Sequence, residues 1–164
     1  MAVSRGRLTL LAALLALLVA VPAAEARIVV QKGIMGARLG MPFPAVIEKV
    51  GDPDGNRVVP NEILGAQRVL RYGKTHVFFD GPGTDTKVVT VTTTSRRQRT
   101  KSGVGVGSHE NAVKDGVAGV RCGTSLSVRR CIVGRERPGR RVTVFFIKKR
   151  TKRVIRVTVG RVID

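Results

Sequence analysis

The chain has 164 residues, no Trp, one Tyr and a formal net charge of +19 at pH 7. This length fits one compact domain or two small units that share a core, and it excludes two large domains. The near absence of Trp and Tyr argues against single-stranded nucleic-acid or carbohydrate binding through exposed aromatic side chains.

The first 26 residues have the pattern of a secretory signal peptide. Arg5 and Arg7 precede a mainly apolar run of 14 residues over 8–21, and Ala24-Glu25-Ala26 supplies a small-x-small cleavage site. A membrane anchor is the alternative, but a bilayer span needs about 20 residues. We expect cleavage after residue 26 and a secreted protein, extracellular or in the cell envelope. No Cys lies near this boundary, so a lipid anchor is not expected.

Residues 27–94 are predicted to form a first α+β unit. A Gly-rich segment over 33–40 leads into a helix over 42–50, where Pro44 suits the first turn and Val46 and Val50 share an apolar face. Apolar and β-branched runs separated by turn residues then predict three antiparallel strands, over 66–72, 75–80 and 86–94.

A basic linker is expected over residues 95–103, which include four cations. Such a run either lies in solvent or grips phosphates, and we favour the solvated interpretation.

Residues 104–164 are predicted to form a second, basic α+β unit. Ser108 is the expected N-cap of a helix whose apolar face carries Ala112, Val113 and Val117. Strands are expected over 127–133, 141–148 and 153–160. The net charge is +15 over 95–164 against +3 over 27–94. This asymmetry favours a polyanionic partner for the second half, although basicity that serves only solubility is an equal alternative.

Sequence blocks recur once along the chain, 67 residues apart. The recurring blocks are Gly40, Ala45, Val46 and Val50 with Gly107, Ala112, Val113 and Val117, and 77–79 with 144–146; the block 87–92 recurs as 153–158, one residue out of step. The predicted fold class is therefore α+β. We expect two tandem repeats, each with a short helical segment packed on an antiparallel sheet of three to four strands.

The last strand of each unit predicts which sheet face is covered. Alternation places Val89, Val91, Ile155 and Val157 against the helices, and Val88, Thr90, Thr92, Val154, Arg156 and Thr158 towards solvent. The Thr-rich face is a candidate binding surface, and an ordinary solvated sheet is the alternative.

Cys122 and Cys131 are the two cysteines of the chain. In an oxidising compartment they are expected to form a disulfide. A reactive thiol pair is a weaker alternative, because the spacing differs from the C-x-x-C of redox motifs.

The sequence suggests no catalytic, cofactor or metal site. His76 and His109 lie in different halves without Cys, His or carboxylates at ligand spacing. Adjacent residues 108–110 have the wrong geometry for a nucleophile, base and orienting acid. The Gly-rich segment 103–108 lacks the pattern of a phosphate-binding loop, so a structural role is expected.

The segment from Ile34 through Leu39-Gly40-Met41-Pro42 to Gly51-Asp52-Pro53 resembles the start of the repeat in two related groups. These are the SmpA/OmlA-type envelope lipoproteins and the β-lactamase-inhibitor-protein-like tandem repeats. Residues 77–79 and 87–91 resemble the Phe-rich and final strands of that pattern, and the cysteine pair lies where the inhibitor family has a bridge. The resemblance implies a helical layer on an antiparallel sheet whose exposed face binds a protein. The chain lacks the lipobox Cys of the lipoproteins.

Two functions follow, neither of them catalytic. The first is a secreted module that binds a protein partner through the sheet face, with Thr90, Thr92, Arg156 and Thr158 as contacts. The second is a polyanionic envelope component as partner (teichoic acid, nucleic acid or anionic lipid), bound by a set of cations in the second half. That set is Arg129, Arg130, Arg140, Arg141, Lys148, Lys149, Arg150, Lys152 and Arg153.

Overall fold

The computed structural model describes residues 27–63 and 65–163. The predicted signal segment, with its cleavage site at Ala24-Glu25-Ala26, lies outside the described residues. The described residues form eleven strands and two helices. In chain order these are β1 Ile28–Val29, β2 Gly33–Ile34, β3 Ala37–Arg38, α1 Phe43–Val50, β4 Gly55–Asn61, β5 Gly65–Tyr72, β6 Thr75–Phe79, β7 Val88–Thr93, α2 Glu110–Gly116, β8 Arg121–Ser125, β9 Val128–Val133, β10 Arg141–Lys148 and β11 Arg153–Arg161.

Eight of the strands form one antiparallel sheet in the order β4-β5-β6-β7-β11-β10-β9-β8. Each half of the chain supplies a four-stranded meander, and the two meanders meet where β7 pairs with β11. The three shortest strands, β1 to β3, form a separate small sheet.

The core lies between one face of the large sheet, called the inner face, and a layer made by the two helices and the small sheet. Val46 of α1 and Val113 of α2 are fully buried. Phe79 and Phe145 are the largest buried side chains of the inner face, and the Phe79 ring meets Phe43 edge-on at 5.5 Å between centroids. Burying such side chains contributes about 1.5–3 kcal/mol each, which holds the short helices on the sheet.

The predicted fold class is wrong. The protein is mainly β, with two helices of eight and seven residues and one eight-stranded sheet, rather than two tandem α+β repeats. The physical reason lies at the join: β7 and β11 would each leave an unpaired edge in a separate unit, and their pairing removes both edges. Helices of two turns are also too short to build an α layer.

Six of the eight strands of the large sheet were predicted within two residues at each end, whereas its strands β4 and β8, like the short strands β1 to β3, were missed. Strands β4 and β8 lie at the edges of the sheet and carry few buried residues. Pro60 in β4 and Gly123 in β8 weaken the strand signal. Edge strands tolerate such residues because one side needs no ladder partner.

The predicted face assignment of the last strands is wrong at four positions. Val88 and Val154 are buried, whereas Ile155 is 49% exposed. The register of β6 with β7 shifts between Phe78 and Phe79, and that of β10 with β11 shifts between Phe146 and Ile147. Each bulge inserts one residue, so the alternation inverts on one side of it. Val89 and Ile155 are the extra residues, while Val91 and Val157 face the core as predicted.

The N-terminal segment contacts the second half of the chain. The Ile28 N–H donates to the Arg99 carbonyl at 2.8 Å, and the Gln31 N–H donates to Thr143 Oγ1 at 2.7 Å. The linker is less exposed than predicted, since Gln98 and Thr100 are buried on either side of the half-buried Arg99. Among the described residues, neither helix has the length or apolar character needed to span a bilayer.

Candidate functional site

The face of the large sheet opposite the helices, called the outer face, has no secondary-structure element packed over it among the described residues. The strand registers place Thr90 and Thr92 of β7 on this face, beside Gly160 and Thr158 of β11. Phe78 and Phe146 lie on the same face, opposite Thr90 and Arg156 respectively.

The charge of the large sheet has one sign. Its eight strands contain eleven Arg and Lys residues and no Asp or Glu. On the outer face the cations are Arg57, Arg71, Arg121, Arg130 and Arg156. Because a field of one sign attracts the opposite sign, this surface complements an acidic one.

The four predicted partner-binding residues share this face. Thr92 and Thr158 join their hydroxyls at 2.9 Å across the β7–β11 seam. Thr90 is the register partner of Gly160. The Arg156 guanidinium lies 4.0 Å from the centroid of the Phe146 ring, a cation–π contact that holds an exposed charge in one position.

A small apolar cluster adjoins this Thr-rich seam. Ile132, Val142 and Val144 lie on the outer face of β9 and β10, each 8% exposed, with Phe146 and Val162 packed against them. The outer face therefore carries hydroxyl groups and cations beside a nearly buried apolar cluster.

The nine predicted polyanion-binding residues do not form one patch. Lys148, Lys149, Arg150, Lys152 and Arg153 are exposed around the β10–β11 turn, whereas Arg140 and Arg141 lie at the other end of β10. An eight-residue strand separates these two groups by about 23 Å.

The remaining two residues of that set already have carboxylate partners. Arg129 is paired with Glu110, and Arg130 with Glu136. Of the nine residues, the five in the turn over 148–153 thus form the one concentrated group without a carboxylate partner in the described part of the chain, and Arg153 donates to the Gly107 carbonyl at 2.8 Å.

Glu110 is buried although it is charged. It is 3% exposed, at the start of α2, and the Arg129 guanidinium donates to both of its oxygens at 2.5 and 3.1 Å. Lys114, one turn along the helix, lies 3.1 Å away. The hydrogen bond from Arg129 is the main reason that the pKa of Glu110 is lowered to about 2, against the opposing effect of its burial. This pair ties α2 to β9 and engages both oxygens of the Glu110 carboxylate.

The structure forms the predicted Cys122–Cys131 disulfide, which joins directly opposed residues of β8 and β9. Its sulfurs and Glu110 are the group of three potential metal ligands that lie within 4.8 Å of one another in the described part of the chain. Sulfurs held in a disulfide are not thiolates, and the Glu110 carboxylate is paired. This group does not fit a metal.

The predicted helix N-cap shifts by one residue. His109 caps α2, its Nδ1 accepting from the Asn111 N–H at 3.3 Å. Ser108 instead closes the preceding turn, where its Oγ accepts from the Gly105 N–H at 3.1 Å and from Arg99 at 2.9 Å. A Cβ on Gly105 would lie 2.3 Å from the Gln98 carbonyl oxygen. The glycine therefore serves close backbone packing, in line with its predicted structural role.

A cavity of about 750 Å³ lies between the small sheet and the end of α1. Two of its polar groups are engaged by the backbone: the Tyr72 hydroxyl donates to the Gly51 carbonyl at 3.0 Å, and the Asp54 carboxylate accepts from the Gly73 N–H. It shares no residue with the outer face.

A second cavity lies on the outer face and is lined in part by Arg57, Arg71 and His76, which were not predicted to form a site. These residues were missed because strand β4 was not predicted. Without that strand, no pattern in the sequence indicated that Arg57 lies near Arg71.

No protein-family model and no curated protein sequence matches this chain. Among solved structures, the fold is similar to that of an extracellular protein containing an SCP domain from Bacillus anthracis, with a TM-score of 0.50 and 12% identity. A cysteine-rich secretory protein from Staphylococcus aureus matches with a TM-score of 0.44 and 14% identity. Each match covers 75% of this chain and 44% of the other protein.

The likeness is one of fold. The chain spans less than half the length of these solved proteins. These solved proteins are SCP-domain and cysteine-rich secretory proteins. The expected similarity to the β-lactamase-inhibitor-protein-like and SmpA/OmlA-type families is therefore wrong. The short motif around Leu39-Gly40-Met41-Pro42 marks a turn before a helix, and such a turn is not specific to one family.

Proposed function

We propose that the protein is a secreted, non-catalytic binding module that recognises an acidic protein surface through the outer face of its large sheet. The observation that carries this proposal is the uncovered face itself. It presents Arg57, Arg71, Arg121 and Arg156, none of which has a carboxylate partner among the described residues. Such a face attracts an acidic partner and repels a basic one.

The size of the outer face fits a partner of protein dimensions. Eight strands spaced about 4.8 Å apart span about 34 Å, and six residues of each strand add about 20 Å in the other direction. The resulting area, about 680 Å², approaches the roughly 800 Å² that each partner contributes to a standard protein interface. A partner must therefore contact most of the face, including Arg156 and the Thr92–Thr158 seam.

Three observations support secretion. The first 26 residues have the pattern of a cleaved signal, and the chain contains a disulfide, which persists in oxidising compartments. The solved proteins of similar fold are described as extracellular or secretory.

The absence of catalysis is part of the proposal and has its own support. Glu110 is held by Arg129, and the cysteines are joined to each other. The cavity that contains His76 is lined by two arginines and no carboxylate.

The test is an affinity capture from secreted and envelope fractions with two matched charge reversals. Arg156→Glu places a negative charge on the outer face, and Arg150→Glu makes the same change of net charge at the exposed β10–β11 turn. We expect the wild type and Arg150→Glu to retain one protein that Arg156→Glu loses. Retention by both variants would contradict the proposal.

A second candidate function is supported by the β10–β11 turn, where five cations lie within six residues without an ion pair in the described part of the chain. They would bind a polyanion by charge alone. In that case retention on heparin falls steeply as the salt concentration rises, and Arg150→Glu lowers the eluting salt concentration more than Arg156→Glu does. Retention that is independent of salt would exclude this function.

A further inference from the structure

A cavity of about 330 Å³ opens on the outer face near the β4 edge. It is lined by Gly55, Asn56, Arg57, Val69, Arg71 and His76. Its volume lies at the lower end of the range of ligand pockets, about 300–1,000 Å³.

The strand registers explain how the cavity forms. Arg71 lies directly opposite His76 across β5 and β6, and opposite Gly55 across β4 and β5. Arg57 is one pleat away, opposite Val69. Gly55 has no left-handed φ that would require glycine, and a Cβ there would meet Arg71 Nε at 3.4 Å. The missing side chain is therefore what leaves room beside Arg71.

The cavity carries positive charge with no carboxylate in its lining. The three ion pairs in the described residues involve neither Arg57 nor Arg71, and the polar contact of Arg71 is with the Asp54 carbonyl at 3.2 Å. Burial lowers the pKa of His76, and the charges of Arg57 and Arg71 lower it further. Its neighbour on β7 is Thr92, which has no charge. The three side chains thus offer donors that lack an anionic acceptor.

The opposite edge of the same face shows a similar arrangement with its acceptor in place. Gly123 of β8 lies opposite Arg130 of β9, and a cavity of about 220 Å³ opens beside them. Glu136 lines this cavity and its carboxylate lies 3.0 Å from Arg130 Nη1. Within this protein, an edge-strand glycine facing an arginine thus leaves a space whose lining includes a carboxylate paired with that arginine.

We infer that the Arg57, Arg71 and His76 cavity is an oxyanion site, and that it receives a carboxylate side chain of the protein partner. The inference rests on the proposed function for the identity of the partner. Guanidinium groups match the geometry of a carboxylate, and the imidazole adds a donor when protonated. The site would thus fix the register of the partner at the β4 edge.

The test uses the free protein and acetate as the probe. The two histidines give separate imidazole signals in NMR, and His109 serves as an internal control because it lies before α2, outside this cavity. Acetate replaces chloride at constant ionic strength while the pKa of each histidine is measured. We expect the pKa of His76 to rise by about one unit at saturation, which corresponds to about tenfold tighter acetate binding when His76 is protonated. The imidazole signals of His109 should not respond to acetate.

Two variants separate the site from a general charge effect. Gly55→Val places a branched side chain in the cavity beside Arg71 and keeps every charge, whereas Lys101→Gln removes an exposed charge from the linker. The acetate response of His76 should be lost in Gly55→Val and kept in Lys101→Gln. Equal responses of His76 and His109, or a full response in Gly55→Val, would overturn the inference. A response to inorganic phosphate without one to acetate would also overturn the carboxylate assignment. The acetate experiment uses no partner protein, so its failure would overturn the carboxylate site alone. The capture experiment tests the proposed function separately.

Discussion

The buried pair of Glu110 and Arg129 predicts a specific dependence of stability on pH. Glu110→Gln keeps the shape of the side chain and removes its charge, so Arg129 and Lys114 lose their common partner. A pKa lowered from an ordinary value near 4.5 to about 2 corresponds to about 3 kcal/mol of stabilisation if it is taken in full. Lys114 is 48% exposed and Arg129 24% exposed at the side chain, so solvent screening reduces this figure to about 1–2 kcal/mol.

The sign follows from the direction of the pKa change. A carboxyl group whose pKa is lower in the folded state stabilises the fold fully above its unfolded pKa. That stabilisation is lost as the pH falls from about 4.5 towards 2. The free energy of unfolding of Glu110→Gln should therefore be lower than that of the wild type at pH 7, and the two should converge near pH 2.

Urea unfolding followed by circular dichroism between pH 7 and pH 2 measures this difference. Glu136→Gln is the control, because its pair with Arg130 is exposed and contributes at most about 1 kcal/mol. The proposed role of the Glu110 charge would be refuted if the free energy of unfolding of Glu110→Gln stayed below that of the wild type by a constant amount over the whole pH range. It would also be refuted if Glu136→Gln lowered the free energy of unfolding equally at pH 7.

Three further predictions concern the fold, and urea unfolding checks each of them. Gly105→Ala should destabilise by about 1–3 kcal/mol, because its Cβ would collide with a carbonyl, whereas Gly123→Ala, with nothing within 4 Å, should cost far less. Val154→Ala should cost about 2 kcal/mol and Ile155→Ala less than about 0.5 kcal/mol; the reverse order would show that the β10–β11 bulge is misplaced. Replacing both cysteines with serine should cost about 2–3 kcal/mol, and an unchanged midpoint would show that the disulfide does not stabilise the fold.

The strands with strong apolar alternation could be predicted from the sequence, because their signal is local. The strand over 141–148 carries four buried residues in succession, and its bounds were predicted without error. The helix containing Val46 was also predicted, since Pro44 and the apolar spacing both indicate it. The alternation of Val91 and Thr92 likewise placed Thr92 on the outer face.

The remaining features depend on pairing between distant segments, which local periodicity does not record. The β7–β11 seam joins residues 66 apart, such as Thr92 and Thr158, and it alone converts two ribbons into one sheet. The bulges are set by the partner strand, so the inverted positions of Val154 and Ile155 could not be read from one segment. The cavity beside Arg71 was missed for a related reason, because it requires the edge strand that holds Gly55.

Photo-crosslinking tests the proposed binding surface most directly. A photoreactive phenylalanine replaces Arg156 on the outer face or Asp115 on α2, and the protein is irradiated in secreted and envelope extracts. If the outer face binds the partner, position 156 should give one discrete protein adduct, and position 115 should give none of that mass. Adducts of equal yield from both positions, or from position 115 alone, would contradict the claim that the helix-free face binds the partner.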